Sequence, residues 1–155
     1  MIFMVHLHMR KVLKIITLSL LLTNSAFAGT KEEKRAKYVL LNMQQDYITC
    51  YSFYKIGTEY VRKTNGESTI IKGIEKSSDN SLRLAHETGE IMGMANDEMS
   101  TKVKSEMKNQ LNLIGSDFDN ASVLLEKYAQ TCKNLIENKK ERISFWEKKS
   151  ANKFK

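Results

Sequence analysis

Apolar residues recur between positions 40 and 61 with the period of an α-helix. Their spacing alternates between three and four residues, which keeps them on one side of a helix and of no other regular element. They are Leu40, Met43, Tyr47, Cys50, Tyr54, Gly57 and Val61. The pattern predicts a first helix from about residue 31 to residue 64, and Asn65-Gly66 predicts the turn that ends it.

Three further series of the same kind cover the rest of the chain. The third predicted helix has its capped start at residues 96–98 and ends near Gly115. The closing helix follows residues 116–119, which resemble a capping box with Asp in place of Glu. The serine-rich segment 77–81 leaves the second helix either continuous or divided. The series are Ile71, Ile74, Ser78, Leu82, Ala85, Gly89 and Met92; then Met99, Val103, Met107, Leu111 and Ile114; then Leu125, Tyr128, Cys132, Leu135, Lys139, Arg142 and Trp146.

These series predict an all-α fold, an antiparallel bundle of three to four helices in up-down-up-down order. The absence of proline from all 155 residues agrees with long helices. A composition of 41% hydrophobic and 28% charged residues excludes collagen-like, proline-rich and low-complexity classes.

The first 28 residues have the pattern of a secretion signal. Arg10, Lys11 and Lys14 precede the apolar run 15–22, and Ala26-Phe27-Ala28 is a small-x-small site, so we expect cleavage after Ala28. The domains are then a signal peptide, 1–28, and a helical domain, 29–155, that is periplasmic or secreted. The apolar run is too short for a membrane span of about 20 residues, so no stable span is expected after cleavage. Translation from Met1 or from Met9 stays open.

Two cysteines remain after the predicted cleavage, and they predict one disulfide between the first and last helices. Cys50 lies 13 residues before Lys63, and Cys132 lies 13 residues after Asp119. At about 1.5 Å per residue both lie about 20 Å from the same end of an antiparallel pair. Both also lie on the apolar side of their helix. In an oxidising compartment, such a pair is expected to be crosslinked.

Positive charge is concentrated at the C-terminus. The mature chain has a net charge of +4, and residues 133–155 hold eight basic and three acidic side chains. A basic helix end suits the helix macrodipole and is usually a solvated surface, and contact with anionic lipid, lipopolysaccharide or nucleic acid is the alternative. We favour the solvated surface and expect no nucleic-acid partner.

Tyrosines are concentrated in the first predicted helix. Tyr47, Tyr51 and Tyr54 surround Cys50 along the chain and form the candidate binding face. Buried tyrosines need partners for their hydroxyl groups, which suits a partly wet groove for a ligand. An aromatic core around the disulfide suits the pattern equally well and is the interpretation that we favour.

The candidate metal ligands form an incomplete set. His86 and Glu90 lie one helical turn apart, and thioether sulfurs such as those of Met92, Met94 and Met99 select Cu(I). A second histidine is missing, and methionine is common in helical cores. No metal site is favoured and no cofactor is predicted.

No catalytic motif is present: the chain has no GxSxG elbow, no phosphate-binding glycine loop and no cysteine–histidine nucleophile pair. The sequence therefore predicts a non-enzymatic binding protein of the cell envelope, with another envelope protein or a small ligand as its partner. A soft-metal (copper or zinc) binding or stress-related periplasmic protein is the alternative. The sequence leaves the oligomeric state open.

Overall fold

A computed structural model describes residues 29–155, and over that range the chain is all-α. None of its helices is long and apolar enough to cross a lipid bilayer. The predicted signal sequence, residues 1–28, lies outside the described residues. The five α-helices are α1 (Lys31–Lys63), α2 (Ser68–Ile91), α3 (Asn96–Leu113), α4 (Ser122–Glu137) and α5 (Lys139–Lys153), and a 3-10 turn at Phe118–Asn120 precedes α4.

The first three helices end in the same motif, in which a residue with positive φ reverses the chain. Asn65, Gly93 and Gly115 have φ values of 55°, 71° and 63°. At each end this residue and the one after it donate their N–H groups back to carbonyls of the last turn, as Ser116 N does to Leu111 O at 2.8 Å. The predicted turn at residues 65–66 and the predicted cap at Gly115 are confirmed.

Helix α2 is continuous through its serine-rich segment. The hydroxyl of Ser77 donates to the carbonyl of Gly73 at 3.1 Å, and that of Ser81 donates to the carbonyl of Ser77 at 2.9 Å. Each hydroxyl thus bonds within the preceding turn instead of capping a new helix. Of the two alternatives that the sequence left open, the continuous helix is the one observed.

The closing helix is divided, in contrast to the single helix that its apolar spacing predicted. Asn138, with φ −131° and ψ 50°, separates α4 from α5. The chain therefore has five α-helices within residues 29–155 instead of three or four. The segment before α4 also differs from a full capping box. The side chain of Asp117 accepts only from the backbone N–H of Asp119, at 3.0 Å, at the start of the 3-10 turn. Lys139, predicted inward, is exposed at the first position of α5.

Helix α1 contacts each of the other four α-helices. It is consequently buried on more than the one side that the apolar spacing predicted. The polar side chains Gln44, Ser52 and Thr58 are fully buried in it beside the apolar ones. Gln44 illustrates the reason, because its amide contacts the carbonyl of Ala85 in α2 and the ammonium of Lys102 in α3.

Contacts along α1 give the direction of its neighbours. Helix α2 is antiparallel to α1, since Arg62 pairs with Glu75 whereas the earlier Gln44 meets Ala85. Helices α4 and α5 also run antiparallel to α1. Cys50 of α1 meets Cys132, whereas Arg35, earlier in α1, meets Phe154, later in the chain. Helix α3 runs parallel to α1; the contacts that show this are Lys102 to Gln44 and Gln110 to Thr49.

The predicted disulfide is present between α1 and α4. Cys50 and Cys132 are joined with a Cα–Cα distance of 5.3 Å, and both are fully buried. The surrounding core is built from the apolar sides of four helices. Its buried members are Met43, Tyr47, Ile48, Phe53, Ile56, Ala85, Met99, Ile114, Leu124 and Leu135.

Candidate functional site

The three tyrosines of the predicted binding face do not share one environment. Tyr47 is 1% exposed and belongs to the core. Tyr51 is half-buried, outside both the core and the groove described below. Tyr54 is half-buried and lines a groove, where its ring lies 5.1 Å from that of Phe53.

An apolar groove lies between α1, the first half of α2 and α4. Its volume is about 380 Å³, within the range of pockets that hold small molecules. The walls are almost entirely apolar, and one basic side chain stands among them. The lining residues are Phe53, Tyr54, Ile56, Gly57, Tyr60, Val61, Ile74, Ala121, Leu124, Leu125, Ala129 and Lys133.

Gly57 contributes space to this groove by lacking a side chain. A Cβ atom built at Gly57 would meet no heavy atom within 4 Å. The glycine is therefore not required by close helix packing, although glycine in a helix interior costs about 0.5–1 kcal/mol relative to alanine. A side chain at this position would extend into the groove between Tyr54 and Tyr60.

Only a few of the residues that line the groove have polar side chains. Lys133 is the only charged residue among those that line it, and Tyr54 and Tyr60 supply two phenols. Burial, together with the negative charge of Glu137, raises the pKa of Tyr54. The phenol of Tyr54 is therefore a neutral hydrogen-bond donor at physiological pH. Apolar walls with a few polar groups are the usual chemistry of a small-molecule site.

Tyr47 is part of the core, although its position in the sequence placed it on the candidate binding face. Burial is the main cause that raises its pKa to about 12, and the negative charges of Asp46 and Glu87 add to it. Its hydroxyl has no hydrogen-bond partner within the described residues. Tyr47 therefore fills the core beside the disulfide, as the aromatic-core alternative expected, and is not open to a ligand.

We expect Tyr47→Phe to keep the fold and to change its response to alkali. Unfolded tyrosine ionises near pH 10, so the raised pKa stabilises the fold fully below pH 10 and progressively less up to about pH 12. Between these limits the wild type should lose roughly 2 kcal/mol more than the variant. Urea unfolding at pH 7, 10 and 12 measures this. A loss above about 1 kcal/mol in the variant at pH 7 would show that the hydroxyl has a partner.

The candidate metal ligands are only partly brought together. Met94 and Met99 both lie against Gly89, and the Met94 sulfur accepts a hydrogen bond from the Gln44 amide at 3.2 Å. Met99 is buried, His86 and Met92 are half-buried, and Glu90 is exposed. Within residues 29–155 no three His, Cys, Asp or Glu side chains are grouped to hold a metal ion. The soft-metal hypothesis stays a prediction.

Sequence reasoning missed one polar cluster between α1 and α5. Asp46 accepts hydrogen bonds from Arg142 Nε at 2.7 Å, Arg142 Nη2 at 2.8 Å and Trp146 Nε1 at 2.6 Å. In the sequence, Arg142 interrupts the apolar spacing. The available signal was its position on that apolar side, where a basic side chain needs an acidic partner. The cluster attaches α5 to α1.

Comparison with known proteins gives no relationship that would assign a function to the groove. No protein family model, no curated protein and no solved structure matches the chain.

Proposed function

We propose that this protein is a non-enzymatic binding protein that acts outside the cytoplasm. Its ligand is a small, largely apolar molecule with a hydrogen-bonding or negatively charged end. The observation that carries the proposal is the groove of about 380 Å³ beside α1, which is lined by apolar side chains and a single cation. A ligand would place its apolar body along Phe53 and Leu124 and its polar end near Lys133.

The rigid walls of the groove support binding rather than collapse. Phe53, Ile56 and Leu124 are buried members of the core, and the disulfide at Cys50 and Cys132 fixes α1 to α4 beside them. Because this core packing and the disulfide hold α1 and α4 in place, the groove is preformed. A preformed site avoids the entropy cost of ordering its own walls when the ligand binds.

Export is the second part of the proposal. The signal-like segment 1–28 supports it, and so does the disulfide, since disulfides persist in oxidising compartments. The N-terminal residue of protein recovered outside the cytoplasm is then Gly29. A bundle in up-down-up-down order is the architecture that we attach to the exported domain, supported by the alternating directions of α1, α2, α3 and α4.

Filling the groove is expected to abolish ligand binding without harming the fold. In Gly57→Leu the new side chain enters open space, so we expect the affinity for N-phenyl-1-naphthylamine, a neutral apolar fluorophore, to fall at least tenfold. Helix propensity should keep or slightly raise thermal stability. Fluorescence titration of the purified protein gives the affinity, and circular dichroism gives the melting temperature.

Gly73→Leu is the matched control. Gly73 lies in α2, is exposed, does not line the groove, and likewise has open space at its Cβ position. Its substitution should leave the affinity within about twofold of wild type. Equal affinities in the two leucine variants, or no probe binding by the wild-type protein, would refute the groove as the binding site.

A further inference from the structure

The start of α1 and the end of α5 meet at one end of the helical domain. The guanidinium of Arg35 donates to the carbonyl of Phe154 at 3.2 Å and to that of Ala151 at 3.4 Å, and the hydroxyl of Ser150 donates to the carbonyl of Arg35 at 3.2 Å. Arg35 thus bonds the last free carbonyls of α5, where a positive charge also suits the helix macrodipole. Segments 119 residues apart in the chain form one surface.

This contact joins two basic segments. Residues 31–37 hold four basic and two acidic side chains, and residues 148–155, the last turns of α5 and the residues after it, hold four basic side chains and no acidic one. Together they have a net charge of +6, whereas residues 38–147 have a net charge of −2. The sequence showed only the C-terminal excess as a local feature. In the structure a second basic segment, residues 31–37, lies at the same end.

Aromatic rings lie among these cations. Lys153 Nζ is 4.7 Å from the ring centroid of Tyr38, and Lys149 Nζ is 5.6 Å from that of Phe145. Phe145 is 40% exposed although it is a large apolar side chain. Trp146 and Phe154 pack edge-to-face on Tyr38, at centroid distances of 6.2 and 5.9 Å. We name this set of lysines and rings the basic-aromatic end.

We propose that the basic-aromatic end binds the surface of an anionic phospholipid bilayer. Lysine and arginine attract the phosphate-rich headgroups, and exposed aromatic rings insert at the boundary between headgroups and acyl chains. The charge of the end is complementary to such a surface and opposite to that of the rest of the domain. The groove around Gly57 lies roughly 28 Å further along α1 than Tyr38, so the two sites are separate.

The ring geometry favours a bilayer over a nucleic acid. Binding of single strands depends on bases that stack on open aromatic faces. Here a face of each ring is already covered: Lys153 lies over Tyr38 and Phe154, and Arg142 lies over Phe145 and Trp146, at 4.7 and 4.9 Å from the two ring centroids. A lipid surface needs only the exposed edges of the rings and the charge.

Vesicle sedimentation tests the proposal. We expect the purified protein to bind vesicles of phosphatidylglycerol and phosphatidylcholine, to leave pure phosphatidylcholine vesicles unbound, and to be released by 0.5 M NaCl. The double variant Lys149→Gln, Lys153→Gln should lower the partition coefficient about 30-fold, from the contribution of each lysine near an anionic surface. Lys104→Gln with Lys108→Gln, two exposed lysines of α3, removes the same charge elsewhere and should change it less than threefold.

Phe145→Ser is a second variant that keeps the net charge, and it should also weaken vesicle binding. Thermal melts confirm that each variant is folded. Equal losses in the two lysine pairs would show attraction by net charge alone and would overturn the proposal. Equal binding to neutral and anionic vesicles would also overturn the proposal. So would tighter binding of the protein to a DNA duplex, seen as its displacement from anionic vesicles by the duplex.

Discussion

Cys50→Ser is expected to lower the melting temperature by about 15 °C under oxidising conditions. The disulfide that it removes closes a sequence separation of 82 residues and joins α1 to α4 inside the core. The crosslink lowers the entropy of the unfolded chain, and its loss corresponds to roughly 4–5 kcal/mol in the free energy of unfolding. Calorimetry of the oxidised protein measures both quantities.

Cys132→Ser is the matched control for this crosslink. Because either substitution breaks the same bond, both single variants and the double variant should melt together, and the reduced wild-type protein should melt with them. The groove should also lose affinity for the apolar probe, since the disulfide fixes two of its walls. A double variant that melts with the oxidised wild type would disprove the stabilising role of the crosslink.

Asp46→Asn is expected to destabilise the fold by about 2–3 kcal/mol. The substitution removes the negative charge that holds the guanidinium of Arg142 and the indole N–H of Trp146 between α1 and α5. The side chains of Asp46 and Arg142 are only 13% and 24% exposed, so water replaces the lost contacts poorly. Urea unfolding gives the loss, and hydrogen exchange should show it first in the amides of α5.

Asp79→Asn provides the comparison, because Asp79 is an exposed carboxylate on α2. It should change stability by less than about 0.5 kcal/mol. In a double-mutant cycle with Arg142→Met, the double variant should lose about 1–2 kcal/mol less stability than the sum of the losses in the two single variants. If Asp46→Asn costs no more than Asp79→Asn, the pair contributes as little as an ordinary surface ion pair.

Much of the helical fold could be predicted because periodicity and helix-end signals are local. The bounds of α1 and the start of α3 lie within a residue or so of those predicted, and Gly115 ends α3 as expected. The division at Asn138 could not be predicted. No proline or glycine marks it, and the spacing of three and four residues continues from Leu135 to Trp146, with the charged Lys139 and Arg142 at the two positions between them.

The groove was harder to predict than the helices. Tyr54, one of the three tyrosines of the candidate binding face, lines the groove, whereas Tyr47 on the same apolar side is core. Apolar spacing shows which side of a helix avoids water, and it does not show where neighbouring helices separate. Gly57, an inward glycine in the middle of a long helix, was the one sequence signal for open space at that position.

The sequence by itself determined the all-α fold, the ends of α1 and α3 and the pairing of Cys50 with Cys132, because each depends on residues close in the chain or on chemistry that only two residues can perform. Only the tertiary structure decided that α1 is surrounded, that Asp46 holds α5, and that the basic segments at 31–37 and 148–155 share one end. These features arise from contacts between distant segments, whose energies depend on packing and on the partner that each polar group finds. Local periodicity contains no record of those partners.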